Sequence, residues 1–503
     1  MKGCKMGKLE KVPFEEALNL TGYGKFNILT FMLCGSIIMG MSFELFSVAY
    51  LVPASACELD TTSAQQGLMA AMPLVGIIAT SHFWGYLADT RGRRKVLFIS
   101  MVMSFVAGAA SAFSPNWITF SVWKFISSGS VAGAFALAFT LLSECNPEAK
   151  LSSLLVLTGT VFFCCNGAMA VIAIPILPLQ FSYHIPVLDI YFNSWRLLGI
   201  LFCMPCVISA IGLLFAFESP KFFLSVGKED KALDTLRSMF VINTKKSSDE
   251  FPVMSLALNE DDAPAAVKGF WSSIVTQTTP LFKTPLLRNT ILLSIIFVIT
   301  YICLHPYVVW LPYIVDGFMR SVQRGEEGLT LCQRLQATQN MTTDEMENKC
   351  ALNEFAITLV MGIFLVLAVV NTGISILINY VSKKKVLIFM QVLCGVSGLL
   401  VNSTTVWFLN AIFFIMFLSG IINFNCLASF SVDIFPTYVK AMAVCLTLMV
   451  GRGSAVLGVN ILKEMLNTSC EASFYVFASI ALLGAGLQFL LPEPPQRKKC
   501  AET

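Results

Sequence analysis

Twelve stretches of mostly apolar residues run along the chain, at about 27–52, 66–88, 96–113, 118–141, 152–177, 196–217, 289–313, 356–381, 386–402, 405–430, 441–463 and 472–491. A helix needs about 20 apolar residues to cross the hydrocarbon core of a bilayer, and each stretch is close to that length. Most polar breaks between them are short. Two are long, one near 218–288 and one near 314–354. The pattern predicts an all-α membrane protein with twelve transmembrane helices in two six-helix bundles. Its expected parts are an N-terminus (1–26), a first bundle (27–217), a central linker (218–288), a second bundle (289–491) interrupted by the loop 314–354, and a C-terminal tail (492–503).

Composition sharpens this. Of 503 residues, 56% are hydrophobic and 13% charged, where a soluble domain is about 25% charged. Too little polar material remains to cover a water-soluble globule. A net charge of +3 gives no footprint for nucleic acid. Met1–Lys25 is polar with five lysines and has no small-residue cleavage site, so the first apolar run reads as a retained span rather than a signal peptide. With the N-terminus inside, the inside segments hold 26 Lys and Arg and the outside segments 6. Both termini are therefore expected in the cytosol.

The halves repeat each other. Arg93-Arg94-Lys95-Val96-Leu97 recurs as Lys383-Lys384-Lys385-Val386-Leu387, Glu144-x-x-Pro147 as Asp433-x-x-Pro436, and Lys150 as Lys440, at offsets of 290, 289 and 290. Near-constant offsets point to a duplicated six-helix unit, the arrangement of transporters with a site at the repeat interface. In the linker, a helix is expected near Lys228–Phe240 and flexible chain from Lys245 to Pro264.

The outside loop holds Cys332, Cys350 and the sequon Asn340-Met341-Thr342. Cys57 and Cys470 also fall outside, and four cysteines allow three pairings; the expected bridge is Cys332–Cys350, within one loop. Asn340 is the glycosylation candidate, because Asn402 and Asn467 sit close to helix ends. The other cysteines lie in apolar runs, where a thiol behaves as a small hydrophobe. No spacing suggests a metal site, no phosphate-binding Gly-x-x-x-x-Gly-Lys loop occurs, and no catalytic constellation or cofactor is expected.

Between spans 2 and 3 lies Gly85-Tyr86-Leu87-Ala88-Asp89-Thr90-Arg91-Gly92-Arg93-Arg94. Its glycines permit a tight turn and close helix approach. It resembles the G-x-L-A-D-x-x-G-R-R signature of the major facilitator superfamily, which implies a gating loop built on Gly85, Asp89, Arg91, Gly92, Arg93 and Arg94. Glu218-Ser219-Pro220-Lys221-Phe222-Phe223-Leu224 and Asp433-Ile434-Phe435-Pro436-Thr437-x-x-Lys440 resemble segments of the sugar-porter-like branch. Asp433, Pro436, Lys440 and Arg452 then form the second-half counterpart. Gly22–Phe26, Glu44-Leu45-Phe46, the segment 83–94, the segment 193–233 and Val309–Pro312 resemble the synaptic vesicle glycoprotein 2 family. That family's vertebrate members have a long N-terminus that binds synaptotagmin and a large luminal domain that binds botulinum neurotoxin. About 26 residues precede span 1 here and the loop after span 7 has about 40, so neither activity is expected. Span 5 also lacks the family's tryptophans, although Trp310 matches its span 7 aromatic.

Three charges lie inside apolar runs, Glu44 in span 1, Lys124 in span 4 and Arg452 in span 11. Such charges face a cavity or a partner, because exposure to lipid costs about 2.5–3.5 kcal/mol. In the family a span 1 Asp pairs with a span 4 Arg. Met41 stands at that Asp position, Lys124 at that Arg position, and Glu44 one helical turn from Met41. A Glu44–Lys124 pair is expected, either taking up a proton as access alternates or fixing helix packing. Asn166, Tyr301, Trp310 and Asn423 are the cavity candidates, with Asn371, Asn425 and His305 beside them. The expected function is secondary active or facilitative transport of a small organic solute by alternating access, with H+ as a coupling candidate. The alternative is a non-transporting vesicle glycoprotein that acts through partners. The expected location is the plasma membrane or a vesicle membrane.

Overall fold

The structure is a computed structural model and describes residues 11–257, 275, 278–339, 353–378, 380–435 and 437–492. The first six spans are the helices Lys25–Ser55, Ser63–Arg91, Arg93–Ala112, Trp117–Glu144, Glu148–Ile176 and Ser194–Phe215. Spans 7 to 12 are Leu286–Val309, Glu354–Leu377, Lys383–Leu400, Trp407–Ser431, Thr437–Thr468 and Cys470–Gln488. Among the described residues, eleven helices are long and apolar enough to cross a membrane. Span 9 is the exception, because its 18 residues open on Lys383, Lys384 and Lys385. Span 7 stops short of the expected 313. Trp310 ends it, and a separate helix, Leu311–Gln323, buries Leu311, Ile314, Val315 and Phe318 on one face.

Two apolar cores hold the molecule together. One joins Phe43 and Phe46 of span 1 to Phe163 of span 5, Tyr307 of span 7 and Phe474 of span 12, so it crosses from one half to the other. The second lies in the first half and reaches into the linker. It joins Ile37 and Leu97 to Val12, Phe14, Leu18, Leu236, Phe240, Phe251 and Leu256. The N-terminus and linker thus form a packed layer on what we call the linker side. Strand Val12–Pro13 pairs in parallel with strand Leu256–Ala257, and helices Pro220–Ser225 and Glu229–Thr244 lie beside them. The part of the Lys245–Pro264 stretch that is described, up to residue 257, is packed rather than loose, because Phe251, Val253 and Leu256 are buried.

The layer is pinned by Asn243. Its side chain accepts from Phe26 N (3.0 Å) and donates to Gly22 O (3.0 Å) and Asn27 Oδ1 (2.9 Å). Asn27 in turn donates to Cys145 O (3.2 Å) and Asn146 Oδ1 (3.0 Å) at the end of span 4. Gly24 fits here because a Cβ would lie only 3.0 Å from Asn243.

Span 4 breaks between Ser130 and Ala134, which frees backbone carbonyls. Gly129 O is satisfied by Trp84 Nε1 (2.7 Å) and Thr80 Oγ1 (2.6 Å) of span 2. The small residues at Ser128, Ser130, Ala132 and Gly133 let these helices meet closely.

Candidate solute pathway between the halves

The turn between spans 2 and 3 is a clasp. Gly92 has φ +99°, a conformation that disfavours side chains, and a Cβ there would collide with the Glu218 carboxylate. Glu218 Oε1 accepts from Arg94 N (2.9 Å) at the start of span 3. The Arg94 guanidinium donates to Leu213 O (2.8 Å) and Leu214 O (2.7 Å), carbonyls left open at the end of span 6. Arg93 pairs with Glu144 of span 4 (3.2 Å) and lies over the Phe222 ring. One turn thereby fastens spans 3, 4 and 6 and the linker. Arg91 is exposed and Gly85 half-buried. The Asp89 side chain lies outside the described residues.

Glu44 and Lys124 do pair. Lys124 Nζ donates to Glu44 Oε2 (3.2 Å) and Ser47 Oγ (3.0 Å), and Ser127 Oγ donates to the same Glu44 oxygen (2.5 Å). Both charged residues are fully buried. Gly108 of span 3 and Cys203 of span 6 close over the carboxylate. The pair therefore sits inside the first bundle, enclosed by spans 1, 3, 4 and 6.

A third clamp on the far side was not anticipated. Arg196 opens span 6 and pairs with Glu58 after span 1 (2.6 Å). It also donates to Ala112 O (2.8 Å) and Ser114 O (2.9 Å). Trp195 Nε1 reaches the other Glu58 oxygen (2.6 Å). The signal was present in Ser194-Trp195-Arg196, but only the fold shows Glu58 as its partner.

The halves meet along spans 2 and 11 and along spans 5 and 8. Asn467 donates to Ser63 Oγ (2.7 Å), and Gly67 abuts Asn460. Thr160 bonds Thr372 (2.7 Å), and Gly159 faces Asn371 and Asn425. An aromatic row crosses the interface. Phe424 stacks on Tyr301 (4.3 Å between centroids), Tyr301 on His305 (6.1 Å), and His305 on Phe46 of the first half (5.6 Å). A narrow cleft beside it is lined by Phe46, Ala49, Tyr50, Asn166, Val308, Pro312 and Phe364.

A model of the Major Facilitator Superfamily matches residues 32–459. The chain belongs to that superfamily. Human synaptic vesicle glycoprotein 2B is 25% identical over 328 residues, covering 61% of this chain and 47% of the relative. Mouse synaptic vesicle glycoprotein 2C is 26% identical over 330 residues, covering 60% and 44%. The chain thus spans about half the length of the curated relatives it matches. Among solved structures, the xylose transporter XylE from E. coli, in a partially occluded inward-open conformation, aligns with a TM-score of 0.69 at 12% identity over 94% of this chain and 99% of XylE. A D-xylose-proton symporter aligns at 0.65 and 11% identity, over 93% and 99%. These likenesses carry the fold. The chain is an integral, multi-pass membrane protein of the superfamily and resembles synaptic vesicle glycoprotein 2.

Within that superfamily fold, several expected site residues fall in different places. Tyr301 and Asn166 lie at the interface of the halves. Asn423 does not, because it is buried within the second bundle, donating to Gln391 Oε1 (2.8 Å). Trp310 is fully buried, donates to Val459 O (3.1 Å) and forms part of a ring cage around Lys463. Arg452 lies in the middle of span 11, where the sequence put it. The side chains of Asp433 and Lys440, and Pro436 itself, lie outside the described residues, as do Asn340 and Cys350. The expected Cys332–Cys350 bridge is replaced by Cys332–Cys470, which ties the loop to the first residue of span 12. Helix Leu331–Gln339 folds back onto the bundle, with Leu331 and Leu335 buried, and so carries Cys332 to Cys470. Cys57 is also disulfide-bonded. Cys332 N donates to Asn402 Oδ1 (3.1 Å), so that sequon residue is engaged internally.

Proposed function

We propose that this protein is a secondary transporter that moves a small organic solute between its two six-helix bundles by alternating access, with the linker side facing the cytosol. One observation carries the reading. Burial along a single face of span 11 rises from exposed Cys445 through half-buried Arg452 to Lys463, which is 3% exposed. Residues 445, 452 and 463 are 7 and 11 apart, which places them within about 20° of one another on a helix of 3.6 residues per turn. Asn460 and Asn467, one turn to either side of Lys463, touch the first half. The face therefore looks onto the interface, and the pathway is open at the linker side and closed at the far side. The closing contacts are glycine, asparagine, serine and aromatic rings, weak enough individually to part. The names of the xylose transporters with the same fold support a solute-transport reading.

Glu44 and Lys124 act in this reading as a lock on spans 1 and 4 within the first bundle, rather than as a proton site. They are buried away from the interface, and Lys124 and Ser127 satisfy one carboxylate oxygen.

The test needs no known substrate. Spin labels at Ala64→Cys and Glu464→Cys, both exposed at the far side, are placed in a background with Cys4, Cys164, Cys445 and Cys500 changed to serine. Double electron–electron resonance should give two distance populations, for the far side closed and open. A single narrow population, unchanged by any solute or pH, would overturn the reading.

A further inference from the structure

Charge is distributed unevenly between the inside of the bundles and the interface. Among the described residues, Glu44 is the one carboxylate buried in the middle of the spans, and Lys124 occupies it. The first bundle's buried and half-buried arginines are also engaged: Arg93 by Glu144, Arg94 by carbonyls, Arg196 by Glu58. Span 11 is different. Arg452 makes no hydrogen bond or ion pair among the described residues, yet it lies mid-membrane and half-buried. It is close enough to His305 on one side and Cys445 on the other to act on both electrostatically. Lys463 lies 3.7 Å from the Tyr313 ring centroid and 4.7 Å from that of Trp310, with no carboxylate beside it among the described residues. Ring faces attract a cation without neutralising its charge. The two cations are 11 residues apart on one face, a rise of about 16 Å. An unpaired charge at such depth is costly and is a mark of a functional site.

We propose that the interface face of span 11 is an anion-recognition surface, with Arg452 as the central ligand-binding cation and Lys463 as the far-side one, and that the solute is an organic anion such as a carboxylate. This deepens the transport reading and rests on it for the word solute. The aromatic row beside Arg452, from Phe424 through Tyr301 to His305, supplies an apolar wall for the organic part. Arg452 offers a planar fork suited to a carboxylate. In the closed state Trp310 and Tyr313 cap Lys463. Both rings belong to the same half as Lys463 and Trp310 is bonded to Val459 O of span 11, so parting of spans 2 and 11 would open the far-side entrance onto this ring-capped cation.

Native Cys445 is the reporter, since it is exposed on the same face two turns from Arg452. The full-length protein in proteoliposomes is treated with 2-sulfonatoethyl methanethiosulfonate (anionic) or 2-(trimethylammonium)ethyl methanethiosulfonate (cationic). Modification of Cys445 is followed by peptide mass spectrometry, each rate normalised to that of free cysteine. A unit charge two helical turns away, about 10 Å, at an effective dielectric constant near 20 changes the two reagents' rates by roughly tenfold each in opposite directions, which predicts a preference of roughly a hundredfold or more for the anionic reagent. Arg452→Gln should abolish the preference and Arg452→Lys should keep it, with melting of each variant checked against the parent. Equal rates, a cationic preference, or a preference that survives in Arg452→Gln would overturn the proposal. The spin-label experiment separates the two ideas. Two far-side distances without anionic preference leave transport standing and remove the anion surface. Anionic preference with one fixed distance leaves the anion surface and removes alternating access.

Discussion

The two halves repeat one design but differ in the charges they carry inside the spans. In the first, every buried charge described above has a partner: Glu44 with Lys124, Arg93 with Glu144, Arg196 with Glu58. In the second, Arg320 pairs with Asp316 (2.8 Å) in the segment after span 7, but inside the spans the side-chain contact from Asn423 to Gln391 is neutral, and the two interior cations of span 11 have no carboxylate partner among the described residues. Where the first half carries Arg94 against the end of span 6, the second carries Lys384, which donates to Phe489 O (2.9 Å) and Leu491 O (2.6 Å) after span 12. The turn is kept in both halves while the interior charges are not. The first bundle is a fastened body with the linker layer bolted to it, and the second presents its charge to the interface.

The comparison can be broken most sharply at the buried pair. Lys124→Met leaves Glu44 buried without its cation and should cost about 3–5 kcal/mol, read as a large drop in melting temperature. Glu44→Met with Lys124→Met should recover most of it, because two apolar residues replace both charges. A double variant no better than the single would contradict the lock.

Next comes the disulfide. Cys332→Ser should destabilise the protein by about 2–4 kcal/mol, and non-reducing peptide mapping should join Cys332 to Cys470. A Cys332–Cys350 peptide would contradict the fold of the far-side loop.

Gly92→Ala should cost about 1–3 kcal/mol, since it places a side chain at positive φ against Glu218. Melting of the purified protein reads this directly. Asn243→Ala should cost about 1–2 kcal/mol by leaving backbone and Asn27 groups unpaired. Its sharper signature is faster proteolysis of the linker, with cleavage in the spans unchanged.

The smallest effect is expected in the second half. Replacing Gln391 and Asn423 together by leucine removes both partners of a neutral contact and should be nearly silent. A loss as large as that of Lys124→Met would erase the difference between the halves.

Much of this architecture was legible in the chain. Hydrocarbon thickness sets span length, so apolar runs located the helices to within a few residues. The Glu44–Lys124 pair was legible because few charges lie in those runs and each needs a partner. What stayed hidden depends on packing between distant segments. Nothing local marks Val12 as a strand, since its partner Leu256 is more than 240 residues away. Cys332 finds Cys470 only because the helix Leu331–Gln339 folds back onto the bundle. Asn423 and Asn425 are equally polar in the sequence, and only their helix faces send one into the bundle and the other to the interface. Lys463 was read as the edge of a span. Its 11-residue spacing from Arg452 was the missed signal that both share a face.

The most direct test sets Lys124→Met beside Arg452→Gln in one thermal-melting series of the full-length protein. The account predicts that Lys124→Met lowers the melting temperature by at least about 5 °C, given a loss of about 3–5 kcal/mol. Arg452→Gln should stay within about 1 °C of the parent, because its charge fastens nothing among the described residues. If Arg452→Gln melts as low as Lys124→Met, the span 11 cation is structural and the contrast between the halves is wrong.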